Sequence, residues 1–292
     1  MSKPPPAETP AVTPQLLRAW PLPVPDDDGT KQARGTVCVV GGAVSTPGAV
    51  LLAGLAALRV GAGRLQILTV EPTAVALGVA VPEAMVVGLP TSSSGSLSPS
   101  AADRIAEQVD DDTTVVLGPG LLNEDDTVAL VRSVLPRLSC RRLVLDAHGL
   151  TALAEHEELL GDRDALVLTP NDSELEALLG GEELGGRDGA AKAARRYRAV
   201  VATKGWAVAP DGSAWRDEAG GVGLGTSGSG DVLAGAVAGL LARGAEPAQA
   251  AVWGQYAHAA AGDRLAARLG RLGFVARELL AELGPVLASL SG

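Results

Sequence analysis

Asp231 ends a run that interleaves Gly225, Gly228 and Gly230 with Thr226, Ser227 and Ser229. Glycines in such a run let main-chain N–H groups turn inward and approach a ligand closely. Directly after it, Val232 to Leu241 is apolar and reads as a buried helix. The junction is therefore a loop feeding a helix N-terminus, where unpaired N–H groups and the helix dipole favour an anion. A carboxylate beside a held phosphate is repelled unless it has a task, and proton abstraction is one. This makes Asp231 the candidate general base, with Gly228, Ser229 and Gly230 supplying N–H groups to a transferring phosphoryl. The competing reading is a glycine linker with Asp231 as a plain helix cap.

Other residues could join that chemistry. Asn171 and Glu174 form an Asn-x-x-Glu pattern in a loop entering a helix, and could orient Mg²⁺ through water. Equally, Asn171 could cap the helix Ser173–Leu179 while Glu174 complements its dipole. Lys204-Gly205 ends a strand, where lysine could meet a nucleotide phosphate or simply be solvated. Gly118-Pro119-Gly120 could pass under a ligand or be a tight turn only. Asp146 stands at a strand end as a possible metal or substrate contact. His148, His156 and His258 show no ligand spacing, and His258, Trp253 and Tyr256 read as core. No Ser-His-Asp or Cys-His arrangement, P-loop or Gly-x-Gly-x-x-Gly is present.

These residues must be positioned by the elements around them. Short apolar runs recur at Thr36–Val40, Leu65–Val70, Met85–Val87, Thr114–Leu117, Leu143–Leu145, Ala165–Leu168 and Ala199–Ala202. Helical patterns fall at Gly48–Val60, Ala101–Val109, Thr127–Leu138, Leu150–Leu160 and Ala190–Tyr197. Such alternation predicts an α/β fold: a mostly parallel sheet with helices on both faces, in three α/β/α layers. Trp206–Ala209 and Ala214–Arg216 flank Pro210-Asp211-Gly212, which predicts an antiparallel hairpin. Val232–Arg243, Pro247–Leu269 and Val275–Leu287 read as helices, and residues 91–99 as a surface loop. Ligands of such sheets gather at the C-terminal ends of the strands. The loops named above all leave those ends.

Composition narrows the function classes. In 292 residues, 47% are hydrophobic and only 2% aromatic, so the core is aliphatic. The formal net charge of −10 and the lack of a basic cluster argue against nucleic acid. Cys38 and Cys140 make neither a disulfide framework nor a zinc site. Residues 1–30 read as a disordered or loosely docked tail with neither signal nor transit character, in which Asp26–Asp28 is a solvated turn and Thr13–Trp20 a short docking helix. Residues 31–292 then form a single domain. Ala49–Ala62, the longest apolar run, is too short to span a bilayer. A cytoplasmic protein with no membrane partner is expected.

Taken together the motifs resemble the ADP-dependent NAD(P)H-hydrate dehydratase family, a branch of the ribokinase-like fold, over residues 13 to 285. The resemblance is carried by Val40-Gly41-Gly42 with Pro47-Gly48-Ala49, Ala57-Leu58-Arg59-Val60-Gly61-Ala62-Gly63, Gly118-Pro119-Gly120-Leu121, Leu145-Asp146-Ala147, Leu168-Thr169-Pro170 with Glu174, Thr203-Lys204-Gly205, and Gly228 to Gly235. It implies repair of the S epimer of hydrated NADH or NADPH (NADHX, NADPHX), with ADP going to AMP and phosphate and Mg²⁺ as cofactor. By the family pattern Ala49, Gly120, Asn171 and Asp231 line the hydrate site. Lys204, Gly205, Trp206, Ala207 and Val208, with Gly228, Ser229 and Gly230, would contact ADP or ATP. The resemblance further implies a homo-tetramer and an epimerase partner on a separate chain.

Two positions depart from the family. After Thr-Pro the family has His-Pro-Gly-Glu, whereas this chain has Asn171-Asp172-Ser173-Glu174. At Val208 the family often has threonine. The first departure keeps a second reading open, an ATP-dependent kinase of a small hydroxymethyl compound. A third is a nucleotide-binding sensor without turnover, against which the acid at Asp231 speaks.

Overall fold

The computed structural model describes residues 9–24, 30–122, 124–154 and 156–290. Nine strands form one sheet among them: β1 (Thr36–Val40), β2 (Arg64–Val70), β3 (Ala84–Leu89), β4 (Thr113–Leu117), β5 (Arg142–Leu145), β6 (Ala165–Leu168), β7 (Val200–Thr203), β8 (Trp206–Val208) and β9 (Ala214–Arg216). Their order is β3-β2-β1-β4-β5-β6-β7-β8-β9. The strands from β3 to β7 pair in parallel, and β8 and β9 add an antiparallel hairpin edge. Because β1 lies between β2 and β4, the chain reverses direction across the sheet there, which opens a crevice at the strands' C-terminal ends.

The helices are α1 (Pro14–Ala19), α2 (Pro47–Arg59), α3 (Glu71–Ala80), α4 (Ala102–Ala106), α5 (Glu124–Val134), α6 (His148–Thr151), α7 (Asp172–Leu178), α8 (Gly186–Tyr197), α9 (Ser229–Ala242), α10 (Pro247–Leu269) and α11 (Ala276–Leu290). Two apolar cores result, one on each face of the sheet. Val37 and Val39 of β1 face the core shared with α2, α9, α10 and α11. Cys38 and Val40, on the opposite pleat, face the core shared with α4, α5, α7 and α8. Strands covered on both faces read as unbroken apolar runs, as they do here.

Glycine decides how closely α9 lies on α2. A Cβ at Gly235 would stand 2.0 Å from the Ala53 carbonyl oxygen, and one at Gly239 2.5 Å from that of Ala57. The helix backbones meet where no larger residue fits.

Four expectations change. The helix expected over Leu150–Leu160 is interrupted: α6 stops at Thr151 and a 3₁₀ turn covers Glu157–Leu160. Tight three-residue hydrogen bonds, Ala154 N–H to Thr151 and His156 N–H to Leu153, replace helical ones. The stretch after Val70 forms α3, although Pro72 and Gly78 disguise it. Residues 91–99 are no simple surface loop, since Ser96 and Leu97 are buried and Gly95 accepts from the Val44 N–H at 2.9 Å. Residues 9–24 are held firmly: Val12 N–H donates to the Arg216 carbonyl at 2.8 Å, Arg216 N–H to that of Pro10 at 3.1 Å, and Trp20 stacks on Trp215 at 5.5 Å. The Asp26–Asp28 turn, and the tail at residues 1–8, lie outside the described residues.

Candidate active site

The crevice has two rims. On one, the loop after β1 is tied to the loop after β4. Gly42 N–H donates to the Pro119 carbonyl at 2.8 Å, and Thr46 Oγ1 to the Gly120 carbonyl at 2.7 Å. Gly120 has φ +66°, and a Cβ there would lie 2.7 Å from that of Ala49. Ala49 and Gly120, far apart in the chain, thus share one wall.

The other rim is the β7–β8 turn. Lys204 is exposed and Gly205 adopts φ +73°. Trp206 is partly buried beneath the Arg216 guanidinium, 5.9 Å from its ring centre. Ala207 and Val208 lie deeper than the turn. Both are 1% exposed, and their strand is paired on both edges.

Between the rims lies the first turn of α9. Gly228 takes φ +86°, which an L side chain rarely adopts, and a Cβ there would also strike Leu52 at 2.5 Å. At Gly230 a Cβ would meet nothing within 4 Å, so this face of the turn opens on the crevice. Among the described residues the N–H groups of Gly230 and Asp231 have no backbone acceptor, and no side chain caps the helix. This is the donor arrangement that holds an anion. Ser229 differs from its neighbours. Its N–H donates to the Thr226 carbonyl, and its hydroxyl meets His258 Nε2 at 2.9 Å in the interior. Both of its polar groups are engaged within the protein. Burial pushes His258 down to about 4, so the ring is neutral at pH 7.

Three carboxylates face one another here. Asp231 is partly buried, and burial first, then the Glu174 charge, push it up to about 6. Asp146, at the end of β5, is buried and accepts from Thr169 Oγ1 at 2.7 Å. Burial, then the charges of Asp231 and Glu174, raise it to about 8 against that hydrogen bond. Glu174 is raised mainly by burial. Ala147, next to Asp146, holds φ +49°, a strained setting for a residue with a Cβ. A Cβ at Gly118 would lie 1.8 Å from the Asp146 carbonyl oxygen, so the β4 loop packs directly onto this acid. Carboxylates raised by burial and by a neighbouring charge in a cleft are a mark of a functional site. Asp146 looks weak when read alone in the chain; its weight comes from these neighbours.

Asn171 and Glu174 are bound to each other in a reciprocal capping box. Glu174 N–H donates to Asn171 Oδ1 at 3.0 Å, and Asn171 N–H to Glu174 Oε2 at 2.9 Å. The Asn-x-x-Glu pattern is therefore a helix start. The Asn171 oxygen is committed to it, and the residue is solvent-exposed. Among the described residues no three His, Cys, Asp or Glu side chains are placed to hold a metal directly.

A three-layer α/β sheet with an acid and an open helix N-terminus at its strand ends defines a ribokinase-like, nucleotide-using enzyme. Comparison with known proteins is specific within that class. The family model described as NAD(P)H-hydrate dehydratase matches residues 37–284, and the chain belongs to that family. It is 42% identical over 288 residues to the ADP-dependent (S)-NAD(P)H-hydrate dehydratase of Xanthomonas campestris, covering 96% of each chain. It is 38% identical to a bifunctional NAD(P)H-hydrate repair enzyme of Moorella thermoacetica, covering 94% of this chain and 54% of that one. Among solved structures, it matches the ADP/ATP-dependent NAD(P)H-hydrate dehydratase of Bacillus subtilis, co-crystallised with ATP and Mg²⁺. The TM-score is 0.82 and the identity 27%, over 98% of this chain and 100% of that one. Among the described residues no helix is long and apolar enough to cross a membrane.

Proposed function

We propose that this chain dehydrates the S epimer of NADHX and NADPHX back to NADH and NADPH, consuming ADP and releasing AMP and phosphate. The observation that carries the reading is Asp231, a carboxylate raised to about 6 beside unpartnered helix amides. Near neutral pH such a group is ionised yet basic enough to take a proton. In the first step Asp231 removes the hydrate's hydroxyl proton as that oxygen attacks the terminal phosphoryl of ADP, and AMP leaves. The amides of Gly228 and Gly230 receive the phosphoryl charge. In the second step the C–O bond breaks, phosphate departs with its electrons, and loss of a proton from the adjacent ring carbon restores the double bond. Ala49, Gly120, Asn171 and Asp231 bound the hydrate; Lys204, Gly205 and Trp206 face the nucleotide.

Mg²⁺ belongs to this reading as a hydrated ion near Glu174. The carboxyl oxygens there suit a hard cation held through water, and the Glu174 charge acting on Asp231 favours one. When bound it would neutralise charge on the phosphates. Self-association, as a tetramer, is supported by an apolar surface on α3 and the edge strand β3, where Val75, Val79 and Met85 are exposed. A separate epimerase partner and a cytoplasmic setting complete the proposal.

The hydroxymethyl-kinase alternative places Asn171 and Glu174 around Mg²⁺ in the same way, so the turnover assay and not the capping box separates the two readings. A turnover assay tests the reading. Protein, NADPHX, Mg²⁺ and either ADP or ATP are mixed, and the reduced-nicotinamide absorbance is followed. Recovery with ADP is expected. ATP consumption with a hydroxymethyl-pyrimidine alcohol, and no recovery of absorbance, would overturn it.

A further inference from the structure

α10 is packed with small apolar residues, yet it buries Gln249, Gln255 and His258. Buried polar groups are costly unless paired, so each partner is informative. Gln249, with the Trp253 indole, holds carbonyls of the N-terminal segment at Trp20 and Pro21. Gln255 is aimed elsewhere. Its Nε2 donates to the Thr203 carbonyl at 2.6 Å and to the Trp206 carbonyl at 3.2 Å. Those carbonyls bracket the Lys204–Gly205 turn, and Thr203 and Trp206 are directly paired across β7 and β8. One helical turn further along α10, His258 meets Ser229 at the start of α9.

We propose that Gln255 is a positioning residue for the nucleotide. Its amide clamps the Lys204–Gly205 turn at a set distance from the Gly228–Asp231 loop, to which the same helix is tied through His258. The inference rests on the nucleotide-facing reading of that turn. β8 has three residues, and the turn's further anchor is Asp217 N–H donating to the Gly205 carbonyl at 3.0 Å. The Thr203–Trp206 pair already joins the ends of this turn, and the Gln255 amide ties that pair to α10. The amide does this from the buried side and leaves the outer side free for a ligand.

The test compares Gln255→Leu, which keeps bulk and removes the donors, with wild type and Lys204→Ala. Nucleotide and hydrate KM, kcat and Tm are measured for each, and ADP affinity by calorimetry. Gln255→Leu is expected to raise the nucleotide KM about tenfold, as loss of a donor shared by the Thr203 and Trp206 carbonyls implies. The hydrate KM and kcat should stay within about twofold. A fall in Tm with both KM values unchanged, or an equal rise in both, would overturn the inference. Gln255→Glu gives a second reading that does not depend on the leucine variant folding. Its protonated carboxyl can still donate, so its nucleotide KM should climb with pH across a range where wild type is flat. A flat profile counts against the clamp. If Lys204→Ala binds ADP like wild type, the turn does not face the nucleotide and the underlying reading fails. If Lys204→Ala weakens binding and Gln255→Leu does not, the positioning role alone is wrong.

Discussion

Gly230 and Gly235 belong to the same helix. A Cβ at Gly230 would meet nothing within 4 Å, whereas one at Gly235 would stand 2.0 Å from a carbonyl oxygen of α2. At the first turn of α9 glycine leaves open space, where the proposed function puts a ligand. The rest of the helix uses glycine to let two backbones touch. Asp231 stands at the boundary, partly buried and raised, while Val232 beyond it is fully buried. One sequence run thus holds a site and the packing that fixes it, and substitutions in its two parts should separate activity from stability.

Asp231→Asn should have the largest effect, a loss of about 10²–10⁴ in turnover, as removal of a general base implies. Its stability should move the other way. An acid raised in the folded state contributes stability below its unfolded value near 4, and loses it as pH rises through about 6. At pH 7 the asparagine variant should therefore melt no lower than wild type in metal-free buffer. Near-normal turnover would remove Asp231 from the mechanism.

The pH profile of wild type sharpens the same point. A base with a value of about 6 predicts kcat/KM rising through pH 6 and flat above it, with about a tenfold loss one unit below. A profile flat down to pH 4 would mean that the ionisation of Asp231 does not limit the reaction.

Gly235→Ala should leave kcat within about twofold and cost about 1–3 kcal/mol, because a methyl group has to be forced against the backbone of α2. Calorimetry reads this as a Tm lowered by several degrees. An unchanged Tm would show that α2 can move aside, and that close approach is not what glycine supplies there.

Gly230→Ala is the smallest change and the sharpest contrast. The methyl group points into open crevice, so nucleotide KM should rise several-fold. Tm should hold or gain slightly, since alanine is favoured over glycine in a helix by about 0.5–1 kcal/mol. A drop in Tm with unchanged nucleotide KM would reverse the assignment of the two glycines.

Much of the scaffold was legible because each strand is apolar on both faces. Ala165–Leu168 and Pro247–Leu269 emerge at their observed bounds, since a covered strand and a long helix of small residues leave unbroken patterns. α3 was hidden by Pro72 and Gly78, although Pro72 sits in the first turn where its missing N–H costs nothing. Leu150–Leu160 has helical spacing, but its leucines are buried through tight turns instead. In the site, the glycine loop and Asp231 stood out through local composition. Asn171 and Glu174 could not be decided, because a capping box and a metal-orienting pair use the same residues at the same spacing. Ala207 and Val208 took their expectation from the family resemblance, and their burial in a strand paired on both sides is a matter of tertiary structure.

The sequence by itself determined the alternation of strands with most of the helices, the three-layer arrangement, and the glycine-rich helix start that ends in an acid. These follow from periodicity and backbone freedom, which are properties of contiguous residues. Tertiary structure decided which acids meet. Asp146, Glu174 and Asp231 come from three separate strand or helix ends; burial raises all three, the Glu174 charge adds to Asp231, and the charges of Asp231 and Glu174 add to Asp146. It also decided that Ser229 turns inward to His258 and that Gln255 closes the β7–β8 turn. Hydrogen bonds and Coulomb interactions depend on distance in space, and the chain order of these residues does not contain it.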